Sequence, residues 1–210
     1  MITQFKIFEN KGEWIEPLYH GGGVLFDKFS LEKLSEKESK SKYYHVLNYL
    51  GFHFTPDKNM ALRLFSKEPD FVVYTVKVKV NKTLKMKESD VVRDMLKWGH
   101  ENGIVGDKLY VKTAMGIEKE YDFKMLVNFP YWSLTRHDRE YYPISLNSFL
   151  LEDKKIDKKK LALGYKQHLI DEGYDSINYM NEIEWEQDRR WDWIIFNDNQ
   201  VKIINIYKEK

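Results

Sequence analysis

The chain has 210 residues, 42% of them hydrophobic and 15% aromatic, which fits one folded domain, or one domain with a sizeable insertion, and excludes a disordered tail. Its 34 basic and 33 acidic residues leave a net charge of +1, so bulk charge argues for neither a nucleic-acid nor a membrane partner. Cysteine is absent, which excludes disulfides, thiolate metal sites and cysteine nucleophiles. No apolar run approaches the ~20 residues that span a bilayer, and Met1–Lys6 carries no secretory pattern. The expectation is a cytoplasmic protein with no membrane association.

No internal repeat is present. Glu13 to Phe29 mixes short apolar runs with a Gly21-Gly22-Gly23 turn. Leu31 to Ser41 is polar and reads as an exposed helix or loop. Leu50 to Thr55 predicts a short strand, and Pro56-Asp57 opens a helix with Met60, Ala61, Leu64 and Phe65 on one face. Phe71 to Val80 is the clearest strand, because Val72, Tyr74, Val76, Val78 and Val80 alternate with Val73, Thr75, Lys77 and Lys79. Glu88 to Glu101 suits a helix that turns Val91, Val92, Met95, Leu96 and Trp98 inward and ends at Gly103. Residues 104–150 read as irregular and aromatic-rich. Asp153 to Lys160 reads as the solvated start of a helix that runs from Leu161 to Glu172 and closes at Gly173. Three strands are expected at the end: Tyr174–Met180, Trp193–Phe196 and Val201–Tyr207. This order predicts an α+β domain with split, mainly antiparallel sheets and flanking helices. No GxGxxG follows a strand, so a Rossmann site is not indicated.

Three segments carry chemistry. Tyr19-His20-Gly21-Gly22 places a histidine beside glycines that let a ligand approach the backbone, although taken alone a turn with an ordinary surface histidine is the better explanation. Gly51-Phe52-His53-Phe54-Thr55 offers a stacking wall or a piece of core. Gly173 to Glu184 is acidic and rich in Tyr and Asn, and leads through a polar loop into Trp193 to Ile203. His100, His137 and His168 have no metal-ligand spacing, so no metal is expected.

In this order the three segments resemble the ADP-ribosyltransferase superfamily. The likeness is to its histidine-type branch, which includes diphtheria toxin and the poly(ADP-ribose) polymerases, and above all to small domains of phage and mobile-element proteins. It covers roughly residues 17–65 and 165–206 and implies one such domain over 1–210, with a family-atypical middle at about 82–155. The resemblance implies a cleft for NAD+ as co-substrate between two small sheets. His20 would hold the adenosine ribose, with Tyr19 and Gly22 beside it, and the Gly21 backbone would hold the nicotinamide carboxamide. The family places a stacking aromatic, often Tyr, where His53 stands, so Phe54, Phe65 or His53 could serve, with Thr55 at the cleft wall. Asn181-x-x-Glu184 points to Glu184 as the catalytic acid; an alternative alignment places Asp192 there, and Glu182 is a third choice.

A fixed carboxylate suits that chemistry. Breaking the nicotinamide–ribose bond passes through an oxocarbenium-like state, which a carboxylate stabilises while it helps deprotonate the acceptor. The acceptor would be a protein side chain or an RNA or DNA base, as expected of a bacterial or phage toxin or conflict factor with a possible neutralising antitoxin. Phe129 to Tyr142 interleaves aromatics with Arg136 and Arg139 and suits base stacking or an inserted hairpin. The lysines from Lys77 to Lys87 read as a solvated edge. The alternatives are a NAD+ glycohydrolase on the same fold and an inactive NAD, ADP-ribose or nucleic-acid binding module.

Overall fold

The computed structural model describes residues 6–23, 25–33, 46–65, 71–112, 118–128, 156–181 and 190–208. The chain divides into two compact units: residues 1–41, 50–87 and 169–210 form the first, and residues 42–49 and 88–168 the second. The architecture is mixed α and β. No described helix is long and apolar enough to cross a membrane.

The first unit is built on a six-stranded sheet. β1 spans Lys6–Gly22, β2 Phe52–Phe54, β3 Val72–Lys87, β6 Ser176–Asn181, β7 Arg190–Ile195 and β8 Val201–Lys208. The strand order is β1-β3-β6-β7-β2, with β8 also on β3. All pairs are antiparallel except β3–β6. Thr55 then bridges back to Tyr19 on β1 through N–H···O bonds of 2.8 and 3.0 Å.

β3 organises this unit. One edge pairs with β1 along its length. The other is shared: β8 takes Val72–Val78 and β6 takes Thr83–Lys87. The backbone between the two partners finds side chains instead. Gln200 Nε2 donates to the Lys79 carbonyl at 3.0 Å. The Asp175 carboxylate accepts the Asn81 N–H at 2.8 Å and the Lys82 N–H at 3.3 Å. Asp175 N–H in turn donates to Lys82 O at 3.0 Å. The sheet is thus split at a seam that Asp175 and Gln200 close.

Alternation along β3 buries Val72, Tyr74, Val76, Val78 and Val80 completely, against Leu18, Phe29, Phe52, Phe54 and Ile195. Helix α1, Lys58–Phe65, is capped by Asp57 Oδ1, which accepts the Asn59 N–H at 2.9 Å. It brings Ala61 and Leu62 onto Tyr19, Phe71 and Val73 on the opposite face.

The second unit holds α2, Glu88–Glu101, ended by Gly103 at φ 69°. Val91, Val92, Met95 and Leu96 are buried, as the helical spacing requires. A hairpin of β4, Lys108–Lys112, and β5, Glu118–Asp122, leads into helix α3, Phe123–Asn128. The irregular stretch expected from residue 104 therefore begins with regular elements. Glu118-Lys119-Glu120-Tyr121-Asp122 carries no apolar alternation, so sequence pattern could not announce that strand. Helix α4, Lys158–Asp171, lies mainly in the second unit, whose boundary falls after His168. Its start is capped by Asp157 Oδ1, 2.9 Å from Lys160 N. Within this unit Tyr165 donates its hydroxyl to Asp94 at 2.7 Å.

Two sequence expectations need correction. Gly21 and Gly22 continue β1 in register with Val73 and Val72, so they are strand residues and not the start of a turn. The lysines of β3 lie on an interior strand with neighbours on both sides, not on a sheet edge.

Candidate active site

His20 sits two residues from the end of β1, opposite Tyr74. Its Nδ1 lies 2.9 Å from the carbonyl oxygen of His53. A carbonyl can only accept, so Nδ1–H is the donor and Nε2 of the neutral ring is the acceptor. The imidazole meets Phe29 and Phe54 edge-on, at centroid distances of 5.3 and 5.8 Å. Tyr74 closes this aromatic nest. Phe26 stacks on its ring at 4.2 Å and donates its N–H to the hydroxyl at 2.7 Å. Burial pushes the Tyr74 hydroxyl pKa up, and the Phe26 hydrogen bond offsets part of that shift.

The glycines after His20 follow from the same strand. Backbone groups of residues i and i+2 project to the same edge of a β-strand. Tyr19 uses its N–H and C=O on Thr55. The N–H and C=O of Gly21 therefore project toward that same edge, one step beyond the bridge. A Cβ built on Gly22 would have His20 Nε2 as its neighbour at 3.9 Å. Glycine at 22 keeps a side chain off that side of the imidazole.

Gly51 has a different cause. A Cβ there would lie 2.1 Å from the Ile195 carbonyl oxygen, so only glycine lets β2 come this close to β7. Phe52 and Phe54 then pair with Ile195 and Trp193, and His53 pairs with Ile194.

Alternation separates the remaining candidates. Phe54 shares the face of His20 but is only 2% exposed, so its ring is core and not an open platform. His53 points to the opposite face, where its Nδ1 lies 3.2 Å from the Tyr179 hydroxyl. Thr55 is buried beside Tyr19 and caps the next turn, accepting the Asp57 N–H on Oγ1 at 3.2 Å. Phe65 ends α1, and its side chain lies outside the described residues.

Asp192 is 5% exposed and in register with Tyr179. Arg190 Nε donates to its Oδ1 at 3.0 Å, and Asn181 Nδ2 donates to its Oδ2 at 3.0 Å. Both carboxylate oxygens are engaged within the sheet. Glu182 and Glu184 lie outside the described residues, as do His137 and the Phe129–Tyr142 stretch. His100 pairs with Asp107 at 2.8 Å and stacks on Phe123 at 4.1 Å, while His168 stacks on Trp98 at 6.1 Å. Among the described residues no cluster of three metal-ligating side chains exists.

Sequence reasoning had no role for Arg190, Tyr179 or Phe29. Arg190-x-Asp192 is a same-face pair on a strand, a signal available in the sequence but common in any exposed sheet. No known family, curated protein or solved structure matches this chain.

Proposed function

We propose that the chain is a histidine-type mono-ADP-ribosyltransferase, which cleaves NAD+ at the nicotinamide–ribose bond and transfers ADP-ribose to a protein or nucleic-acid acceptor. One observation carries the reading: His20 is pinned through Nδ1 while Gly21, next to it, projects an N–H and a C=O at the same strand edge. A carboxamide has one acceptor oxygen and an NH2 donor, and such a backbone pair complements both. Nε2 of His20, an acceptor in the neutral ring, complements a ribose hydroxyl.

Within this reading Glu184 is the catalytic acid and Asp192 a structural one. A carboxylate that stabilises an oxocarbenium ion must face the sugar, and the oxygens of Asp192 are already engaged by Arg190 and Asn181. Neither His53 nor Phe54 offers an open ring beside His20, so Phe65 is the preferred nicotinamide stacker. Water as acceptor would make the same site a NAD+ glycohydrolase.

The test is release of nicotinamide from NAD+ by the purified chain, alone and with added RNA, DNA or protein extract. Release that rises with one fraction identifies transfer and its acceptor class. Glu184→Ala and His20→Ala should lose turnover by at least roughly a hundredfold, the size of one lost charge-stabilising contact. Wild-type protein without turnover or NAD+ binding under any of these conditions refutes the proposal.

A further inference from the structure

Register places four side chains together on the sheet face opposite the valine core. Trp14 on β1 stands across from Lys79 on β3, and Lys77, two residues earlier on β3, stands across from Lys202 on β8. Paired residues, and residues i and i+2, share a face. The Lys77 ammonium lies over the Trp14 ring, 4.8 Å from its centroid, which joins the two pairs into one patch. Trp14 is 44% exposed, and Lys79 and Lys202 are exposed. Among the described residues no carboxylate forms an ion pair with Lys77, Lys79 or Lys202. Of the acids flanking Trp14, Glu13 is out of phase, in register with Val80, and Glu16, in the irregular stretch opposite Lys77, forms no ion pair with these lysines.

The cation–π contact holds Lys77 on the Trp14 ring, but the patch still carries a cost. Like charges directly opposite each other across two strands destabilise the pairing, and an exposed indole gains little from burial. An anion between the lysines removes the first cost, and a flat ring on Trp14 removes the second. We propose that this face binds single-stranded nucleic acid, with Lys77, Lys79 and Lys202 on phosphates and Trp14 stacking a base. Base stacking needs one aromatic ring per base, whereas a bilayer anchor needs an apolar face that a single indole does not supply. An acidic peptide would use the lysines and have no use for Trp14. The inference stands apart from the NAD+ reading; were both true, the face would bring a nucleic-acid acceptor to the enzyme.

The experiment is fluorescence anisotropy of a labelled single-stranded RNA of about twenty nucleotides, long enough for one groove, with the full chain and no NAD+. Duplex DNA, polyglutamate and phosphatidylserine vesicles are the comparison probes. Combined Lys77→Gln, Lys79→Gln and Lys202→Gln should make the negative slope of log K against log salt shallower by about 2, at ~0.7 per phosphate contact on a single strand. Trp14→Ala should weaken RNA binding by roughly tenfold, within the range of one lost stack. Lys159→Gln with Lys160→Gln, exposed on α4, should leave the slope unchanged. Circular dichroism checks that each variant folds. No RNA binding overturns the proposal. So does binding that Trp14→Ala leaves intact, or preference for duplex, polyglutamate or vesicles over single strands. Because NAD+ is absent, failure here leaves the transferase reading standing, and failure of turnover leaves this one.

Discussion

Replacing Gly51 by Ala should destabilise the first unit more than any other single methyl group added to it. The new Cβ would meet Ile195 O at 2.1 Å, its carbonyl carbon at 2.9 Å and Phe196 Cα at 3.3 Å. All three are backbone atoms, so no side chain can swing away. Ordinary contact begins near 3.4 Å, and β2 must therefore retreat from β7 by more than 1 Å. Retreat loosens the pairs Phe52↔Ile195 and Phe54↔Trp193 and lifts two phenylalanines, each 2% exposed, from the core. Overpacking costs about 1–3 kcal/mol even where side chains can adjust, so roughly 3 kcal/mol is expected where they cannot. For a chain of this size that lowers the melting temperature by about 6–12 °C. The contrast is Gly103→Ala, which has open space but a φ of +69°, and should cost about 1 kcal/mol through backbone strain alone. Thermal unfolding by circular dichroism reads both. A Gly51→Ala protein that melts with wild type, or above Gly103→Ala, would falsify the claim that glycine is there for the β2–β7 approach.

Lys166 is buried in α4, and burial holds its ammonium down to about 8 from 10.5. The unfolded chain keeps that proton up to about 10.5, so stability is flat below pH 8 and rises between pH 8 and 10.5. Lys166→Met should remove this rise and stabilise the protein near pH 7 by up to about 3 kcal/mol, measured by urea unfolding across that range; an unchanged slope refutes it. Asp175→Ala should speed amide hydrogen exchange at Asn81 and Lys82, whose N–H groups it accepts, and leave the amides of Val76 and Val78 as they are. Gly164→Ala would place a Cβ 2.4 Å from the Trp98 ring. The clash outweighs the gain in helix propensity, and a net loss of about 1 kcal/mol should appear with a changed Trp98 fluorescence environment.

Local pattern made much of the fold legible. α2 runs from Glu88 to Glu101, where period 3.6 and Gly103 place it, because its buried residues and its stop signal are all local. β1 was hidden for a physical reason. Register shifts between Glu9 and Glu13 and between Ile15 and Leu18 break the period of two, so no window displays a clean alternation. β3 was legible to Val80 but continues to Lys87, where Leu84 and Met86 alternate with lysines on a strand held between β1 and β6, both distant in sequence. The seam closed by Asp175 and Gln200 is non-local in the same way: Asp175 reads as a polar residue of the expected strand Tyr174–Met180, and Gln200 as an ordinary loop polar group, until β8 and β6 meet on one edge of β3.

The candidate site shows the sharpest limit of linear reading. Gly51-Phe52-His53-Phe54-Thr55 looks like one binding element, yet alternation divides it. Phe52 and Phe54 go to the buried face with His20, while His53 and Thr55 go to the face of Tyr19 and Tyr179. What reaches His20 from His53 is its carbonyl, which any residue could supply. Replacing the His53 side chain therefore leaves the hold on His20 in place, and His53→Ala should remove the Tyr179 contact. The same rule separates the acids. Asp192 belongs to the face of Tyr179 and is closed by Arg190 and Asn181 on neighbouring positions of the same sheet. If Asp192→Asn loses stability while NAD+ turnover per folded molecule survives, Asp192 is structural, and the acid must come from elsewhere. Turnover that vanishes in a fully folded Asp192→Asn protein would instead place the chemistry on the Tyr179 face, and His53 would then be the histidine beside it.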